Sequence, residues 1–402
     1  MNSMSFSTLN TSFQRVVQQI NYLWDPEPKN TEPMSAIWLL GQEYASPTPP
    51  PPAAAAATTT SNAATTDAEI QSTWPRAFLD DFESRVWMTY RSDFVPIPRS
   101  PQGTQGMSIM TSMRAHLPAH SQGFTSDQGW GCMVRSGQCV LANALLVFRF
   151  GREWRKGQCL DEEKKLLALF ADDPSAPFSI HKFVHQGELR DIHSGQWFGP
   201  TPTAQCIKAL TEAYPNTGLR VHMTFEGGNV YEDTFRGTAI VDGVFQPTLL
   251  LIVTRLGVDS INPLYWEPLK STLQMKQSIG IAGGRPSSSH YFVGVQGEYL
   301  FYLDPHVVRP RLTGTTDADV ESCHTVRLRR LHLREVDPSM MFAFLIRSEE
   351  EWTEWKTAIA AAKGRAVITV GEKEPDNKGT TERSEAIDEV ISESEDEGGL
   401  LG

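Results

Sequence analysis

A tryptophan set between two glycines, directly before a cysteine, constrains this chain more than any other stretch. The segment runs Thr125-Ser126-Asp127-Gln128-Gly129-Trp130-Gly131-Cys132-Met133-Val134-Arg135-Ser136-Gly137. From Val134 onward, apolar or small residues recur at spacings of three and four, through Gly137, Leu141, Leu145 and Phe148. That is the pattern of a buried helix. Cys132 is therefore expected in its first turn, presented by a flexible, close-packing bend. A thiol there feels the positive end of the helix dipole, which favours the thiolate. A nucleophilic cysteine can be built this way. The same residue could instead be a small core side chain, as free cysteines often are.

A second stretch weighs on that choice. Tyr299-Leu300-Phe301-Tyr302-Leu303-Asp304-Pro305-His306 alternates like a strand and ends in an acid and a histidine two residues apart. Residues at that spacing project on one face of a strand. The histidine can act as a base, and the carboxylate can orient it and stabilise its protonated form.

These two stretches, with others in the same order, resemble the autophagin family of cysteine proteases. The further matches are Trp38-Leu39-Leu40-Gly41, Trp87-Met88-Thr89-Tyr90-Arg91, Gln196-Trp197-Phe198-Gly199-Pro200 and Gly283-Gly284-Arg285-Pro286 followed by His290-Tyr291-Phe292. They span about residues 36 to 310. The resemblance implies an α+β, papain-like fold with a small auxiliary lobe. It implies an endopeptidase that cuts after the C-terminal glycine of the ubiquitin-like modifier of autophagy. One reaction matures the modifier's precursor; the other releases it from phosphatidylethanolamine. The implied roles are Cys132 as nucleophile, His306 as base, Asp304 as its orienting acid and Tyr90 as an oxyanion donor. Trp197, Gly284 and Pro286 would form the clamp on the substrate's glycine end. Partners would be the modifier and, through it, the autophagosomal membrane. The setting would be cytoplasmic, with the nucleus and the pre-autophagosomal structure as further places.

Composition narrows the alternatives. A net charge of −12 argues against nucleic acid as the main partner, because phosphate binding needs basic surface. The five cysteines, Cys132, Cys139, Cys159, Cys206 and Cys323, are scattered and contain no CxxC pair. That fits reduced thiols better than a disulfide scaffold or a zinc knuckle. His181 and His185 have a metal-helix spacing, but no third ligand follows, so no metal or other cofactor is expected. No apolar run approaches the roughly 18 residues of a membrane span.

Along the chain, residues 1–44 read as an N-terminal helix, with Phe13, Val16, Val17 and Ile20 on one face, and a short strand docking on the core. Residues 45–73 are a Pro/Ala/Thr-rich insert without chemistry. Residues 74–366 form the catalytic domain, with the auxiliary lobe at about 200–285. Residues 220–225 and 244–254 read as strands with a turn at Glu226-Gly227-Gly228-Asn229 between them; Leu249 to Val253 is apolar throughout, and 342–346 reads as a further apolar strand. A helix carrying Phe78, Phe82, Val86 and Trp87 leads to Tyr90, and residues 280–286 read as a glycine-rich loop able to act as a lid. Residues 367–402 make an acidic tail. A triad does not name its substrate. A deubiquitinase-like or other cysteine acyl-transfer enzyme, or a non-catalytic adaptor that binds the modifier, stays open on the residues alone.

Overall fold

Strands that are apolar on both sides fix the centre of the molecule. In the run Thr248–Arg255, Leu249, Leu251 and Val253 enter one hydrophobic core, while Leu250 and Ile252 enter a second. In Ser339–Ile346, Met341, Ala343 and Leu345 join the first core, and Met340, Phe342, Phe344 and Ile346 join the second. Side chains alternate across a pleated strand, so a strand with no polar face must lie between two apolar layers.

The computed structural model describes residues 27–45, 74–100, 123–224, 227–285 and 288–375. The helix expected within residues 11–24, the insert from 46 to 73, Pro286 and the tail beyond 375 lie outside the described residues. In chain order the first elements are β1 (Ile37–Leu39), β2 (Gln42–Tyr44), α1 (Arg76–Glu83), β3 (Arg91–Ile97), β4 (Phe124–Ser126) and α2 (Cys132–Phe150). There follow α3 (Leu160–Ala168), α4 (Ile180–Glu188), α5 (Pro200–Ala213), β5 (Arg220–Thr224), β6 (Asn229–Tyr231) and α6 (Glu232–Ala239). Next come β7 (Ile240–Val241), β8 (Val244–Phe245), β9 (Thr248–Arg255), α7 (Trp266–Gln274), β10 (Ser278–Arg285), β11 (Ser288–Gln296) and β12 (Tyr299–Leu303). The chain closes with β13 (Arg309–Pro310), α8 (Asp317–Glu321), β14 (Arg330–His332), β15 (Ser339–Ile346), α9 (Glu349–Ala361) and β16 (Thr369–Gly371).

Seven strands run β14-β12-β11-β10-β15-β9-β5, and β1 and β2 complete a nine-stranded sheet. β1 continues the edge that β10 leaves: β10 pairs with β11 up to Phe292, and Leu39 of β1 takes Gly294. The buried helix α2 crosses β10 and β11 on one face, while α7 packs on the other face of the same strands. Residues 200–285, expected as an auxiliary lobe, contribute β5, β9 and β10 to this same sheet. A separate three-stranded sheet, β13-β3-β4, ties the segments around Tyr90, the cysteine turn and the chain after His306.

Three local expectations differ from the structure. The helix through Phe78 and Phe82 ends at Glu83 instead of reaching Trp87, because tertiary partners claim the next backbone amides. The Val86 N–H donates to the Asn143 side chain and the Trp87 N–H to the Cys323 carbonyl. A helix, α6, follows β6 where the sequence suggested only a turn between strands. The glycine-rich stretch from Gly280 is mostly strand β10 rather than loop. Its glycines serve close approach: a Cβ on Gly284 would lie 2.0 Å from the Ser288 carbonyl oxygen.

Candidate active site

Cys132 is the first residue of α2, as the periodicity predicts. Gly129 has a φ of +92°, a left-handed turn that glycine adopts without strain. Gly131 is packed against a side chain: a Cβ there would meet the Asp127 carboxylate at 2.4 Å. The helix behind the cysteine is buried without a break from Cys132 to Val147, so the thiol stands on a rigid base. At the start of a helix the Cys132 N–H lacks an intrahelical acceptor and can serve as a donor to a substrate.

Asp304 and His306 follow β12 directly. The His306 Nδ1 lies 2.6 Å from Asp304 Oδ1, and the two side chains keep 11% and 10% exposure, enough for a substrate to reach the ring. His306 is hydrogen-bonded to the Cys132 sulfur, which also receives the Ser289 N–H and the Tyr90 hydroxyl. Burial alone would raise the thiol pKa. The hydrogen bond and charge of His306 outweigh burial, and the net shift is downward. Burial likewise opposes the imidazolium, but the charge and hydrogen bond of Asp304 reverse that and hold the ring protonated up to about pH 10. For Asp304 burial is again overcome by His306, leaving its carboxyl below the usual range. The arrangement therefore supports a thiolate beside an imidazolium at neutral pH.

Tyr90 is buried beside this pair, its ring 5.4 Å from and perpendicular to that of His306. Burial and the nearby Cys132 and Asp127 charges push its phenol well above the ordinary value, so it remains a donor. Its backbone is locked on both sides: its N–H donates to the Pro305 carbonyl at 2.8 Å, and its carbonyl accepts from Arg309 at 2.9 Å. Trp197 is half-buried, and its indole Nε1 donates to the Gly129 carbonyl at 2.8 Å, which fixes it to the cysteine turn. Gly284 pairs with Ser289, whose N–H reaches the sulfur. Cys132, Asp304, His306, Tyr90, Trp197 and Gly284 thus meet in one place; Pro286 is outside the described residues.

Several site residues were not singled out from the sequence. His290 sits 5.4 Å from His306 ring to ring, and burial holds it neutral, its pKa pushed down to about 3. It joins Asp304 and His306 in the one group of three metal-ligand side chains found among the described residues. Asp304 is already committed to His306 there. Arg135, one turn past the cysteine, is fully buried and bonds Asp127 at 2.7 Å and Asp172 at 2.8 Å. Asp127 in turn accepts the Arg91 N–H at 2.7 Å, and Asp172 accepts the Leu312 N–H at 2.7 Å. An arginine among apolar residues of a helix needs buried partners, and that was the signal available in the sequence. Cys139 is buried core, as expected, and its sulfur accepts the Met88 N–H.

Residues 75–358 match the Peptidase C54 catalytic domain. The chain belongs to the peptidase C54 family. A probable cysteine protease atg4 from Sclerotinia sclerotiorum is 48% identical over 428 residues, covering 96% of this chain and 97% of that protein. The cysteine protease ATG4 of Pyricularia oryzae is 54% identical over 350 residues, 83% of this chain and 71% of that one. A protein named cysteine protease 1 from Neurospora crassa is 53% identical over 336 residues, 81% and 66%. The chain is accordingly a cysteine protease of the autophagy pathway with a papain-like fold, and the C54 domain spans every residue of the site described above.

Proposed function

We propose that this C54 protease hydrolyses the peptide or amide bond after the C-terminal glycine of a ubiquitin-like autophagy modifier. The single observation that carries the reading is the Cys132–His306–Asp304 alignment at the start of α2, with the sulfur hydrogen-bonded to the ring and the ring 2.6 Å from the acid. The Cys132 thiolate attacks the glycine carbonyl, and the oxyanion is met by the Tyr90 hydroxyl and the Cys132 N–H. The His306 Nε2 proton passes to the departing amine as the C–N bond breaks, leaving a thioester on Cys132. Water then attacks the thioester, gives its proton to Nε2 and releases the thiolate. Asp304 keeps Nδ1 occupied so that Nε2 alone faces the reaction.

Trp197, tethered to Gly129, would clamp the substrate's glycine end together with Gly284 and Pro286, because a side chain there would collide with the indole. The leaving amine can be the next residue of a precursor or phosphatidylethanolamine, since the chemistry is the same. Contact with the autophagosomal membrane would then come through the lipidated substrate, from a cytoplasmic enzyme. Among the described residues no helix is long and apolar enough to cross a membrane. The test is cleavage of a purified modifier bearing a C-terminal extension by the wild type and by Cys132→Ser. A product ending at the glycine, made only by the wild type, is expected. Cleavage by the variant, or at another bond, overturns the reading.

A further inference from the structure

We propose that Trp87 is a positioning residue of the protease, its indole N–H holding the backbone from which Asp304 aligns His306. This rests on the roles assigned above to Cys132, Asp304 and His306. The indole Nε1 lies 2.6 Å from the Asp304 carbonyl oxygen, across 217 residues of sequence.

The turn that carries the acid and the base has little to hold it from within. β12 stops pairing with β11 at Leu303, one residue before Asp304. Pro305 has no N–H to give, and the His306 N–H is spent on Asp304 Oδ1 at 3.0 Å. The carbonyls of the turn are met from outside: the Trp87 indole donates to that of Asp304, and the Tyr90 N–H donates to that of Pro305. Beyond His306, the Arg309 guanidinium lies over the Trp87 ring, 5.0 Å from its centre. One side chain thus grips the chain on both sides of the base.

Trp87 is itself fixed. It is buried, and its own N–H donates to the Cys323 carbonyl at 2.8 Å. Its neighbours are bound to α2. Val86 exchanges both backbone hydrogen bonds with the Asn143 side chain, each 2.9 Å, and the Met88 N–H donates to the Cys139 sulfur at 3.1 Å. The helix that carries Cys132 and the turn that carries Asp304 and His306 are therefore set from one short segment, which ends in Tyr90. Around the His306 ring stand Cys132 from α2, Tyr90, Ser288 and His290 from β11, and Asp304 from the same turn. Asp304 alone of these shares its Cα with the carbonyl that Trp87 holds. Without the indole N–H that carbonyl loses its donor, the peptide between Asp304 and Pro305 can rotate, and the carboxylate leaves its line with Nδ1.

The experiment compares wild type, Trp87→Phe and Asp304→Asn in cleavage of a modifier whose terminal glycine carries a fluorogenic amine, with kcat and KM followed across pH. Phenylalanine keeps an aromatic ring under Arg309 and lacks the N–H. In that variant kcat is expected to fall about tenfold at unchanged KM, the scale of a misaligned catalytic group. Both limbs of the kcat/KM profile should move inward, as in Asp304→Asn but less far. A looser carboxylate stabilises the imidazolium less, and a weaker imidazolium stabilises the thiolate less. Lost packing alone would lower the melting temperature and leave both limbs in place. Should Trp87→Phe melt below the assay temperature, benzothienylalanine is placed at position 87 instead, an isostere with sulfur where the indole has its N–H, and the same profile is read. Unmoved limbs at position 87 beside moved limbs in Asp304→Asn overturn the role of Trp87 alone. Unmoved limbs in Asp304→Asn overturn the underlying assignment and this one with it.

Discussion

At the scale of single residues, the site is an exercise in holding charge out of water. Cys132, His306 and Asp304 are each opposed by desolvation; Cys132 and Asp304 recover it chiefly from His306, and His306 from both of them. The protonation states are therefore coupled, and a change at one end moves both limbs of a pH profile. Iodoacetamide should label Cys132 faster than the other four thiols at neutral pH. Burial pushes Cys139 and Cys206 up to about 12, which leaves them almost wholly as unreactive thiols. The Cys132 alkylation rate should fall as pH drops through its lowered pKa, and kcat/KM for cleavage should fall there too and again as pH rises through the raised pKa of His306, whose proton the leaving amine takes. Asp304→Asn removes the charge that holds the ring protonated. The plateau should then narrow from both sides, and kcat should drop by roughly a hundredfold or more. A profile of unchanged width in that variant would count against the coupling.

At the scale of elements, the cysteine turn is positioned by what lies beneath it. Arg135 ties α2 to Asp127 and Asp172, and these reach the backbone beside Tyr90 and the segment after β13. One guanidinium thus joins the three pieces of chain that carry the nucleophile, the tyrosine and the histidine. Removing one member of a buried ion pair leaves the others uncompensated, typically at about 3–5 kcal/mol. Arg135→Met should lower the melting temperature and reduce kcat together, and Arg135→Lys should recover only part of either. Gly131→Ala should do similar harm by a different route. Its added methyl meets a carboxylate in a site with no room to move, and overpacking of this kind costs about 1–3 kcal/mol. Thermal melts alongside kcat measurements would check that stability and activity fall together in both.

At the scale of the whole molecule, the central sheet separates two layers with different duties. The nucleophile helix lies on one side. On the other, Trp352 stacks 3.9 Å from Phe235 and 5.1 Å from Trp355, all within the second core. Trp352→Ala should cost about 3–5 kcal/mol of stability by the usual measure of a buried aromatic. It should leave the Cys132 alkylation profile unchanged below the melting transition. A shifted profile would mean that the layers are more tightly coupled than the sheet between them suggests.

The sequence alone determined the chemistry-bearing elements. Glycines before a cysteine and a 3.6-residue period after it set the start of α2, and a strand ending in Asp-Pro-His set the acid and base on one face. These are local patterns, and local patterns are legible because the residues that enforce them are neighbours in the chain. The doubly apolar strands β9 and β15 were legible for the same reason. What the tertiary structure decided were the relations between distant segments. It ended α1 at Glu83, where Asn143 and Cys323 claim the amides, drew β10 out of a glycine run by pairing it with β11, and placed β5, β9 and β10 in the sheet that carries Asp304. It also gave Ser288, His290 and Arg135 their places at the site. None of the three belongs to a spacing rule, because each acts on a partner that only folding brings within about 5.4 Å.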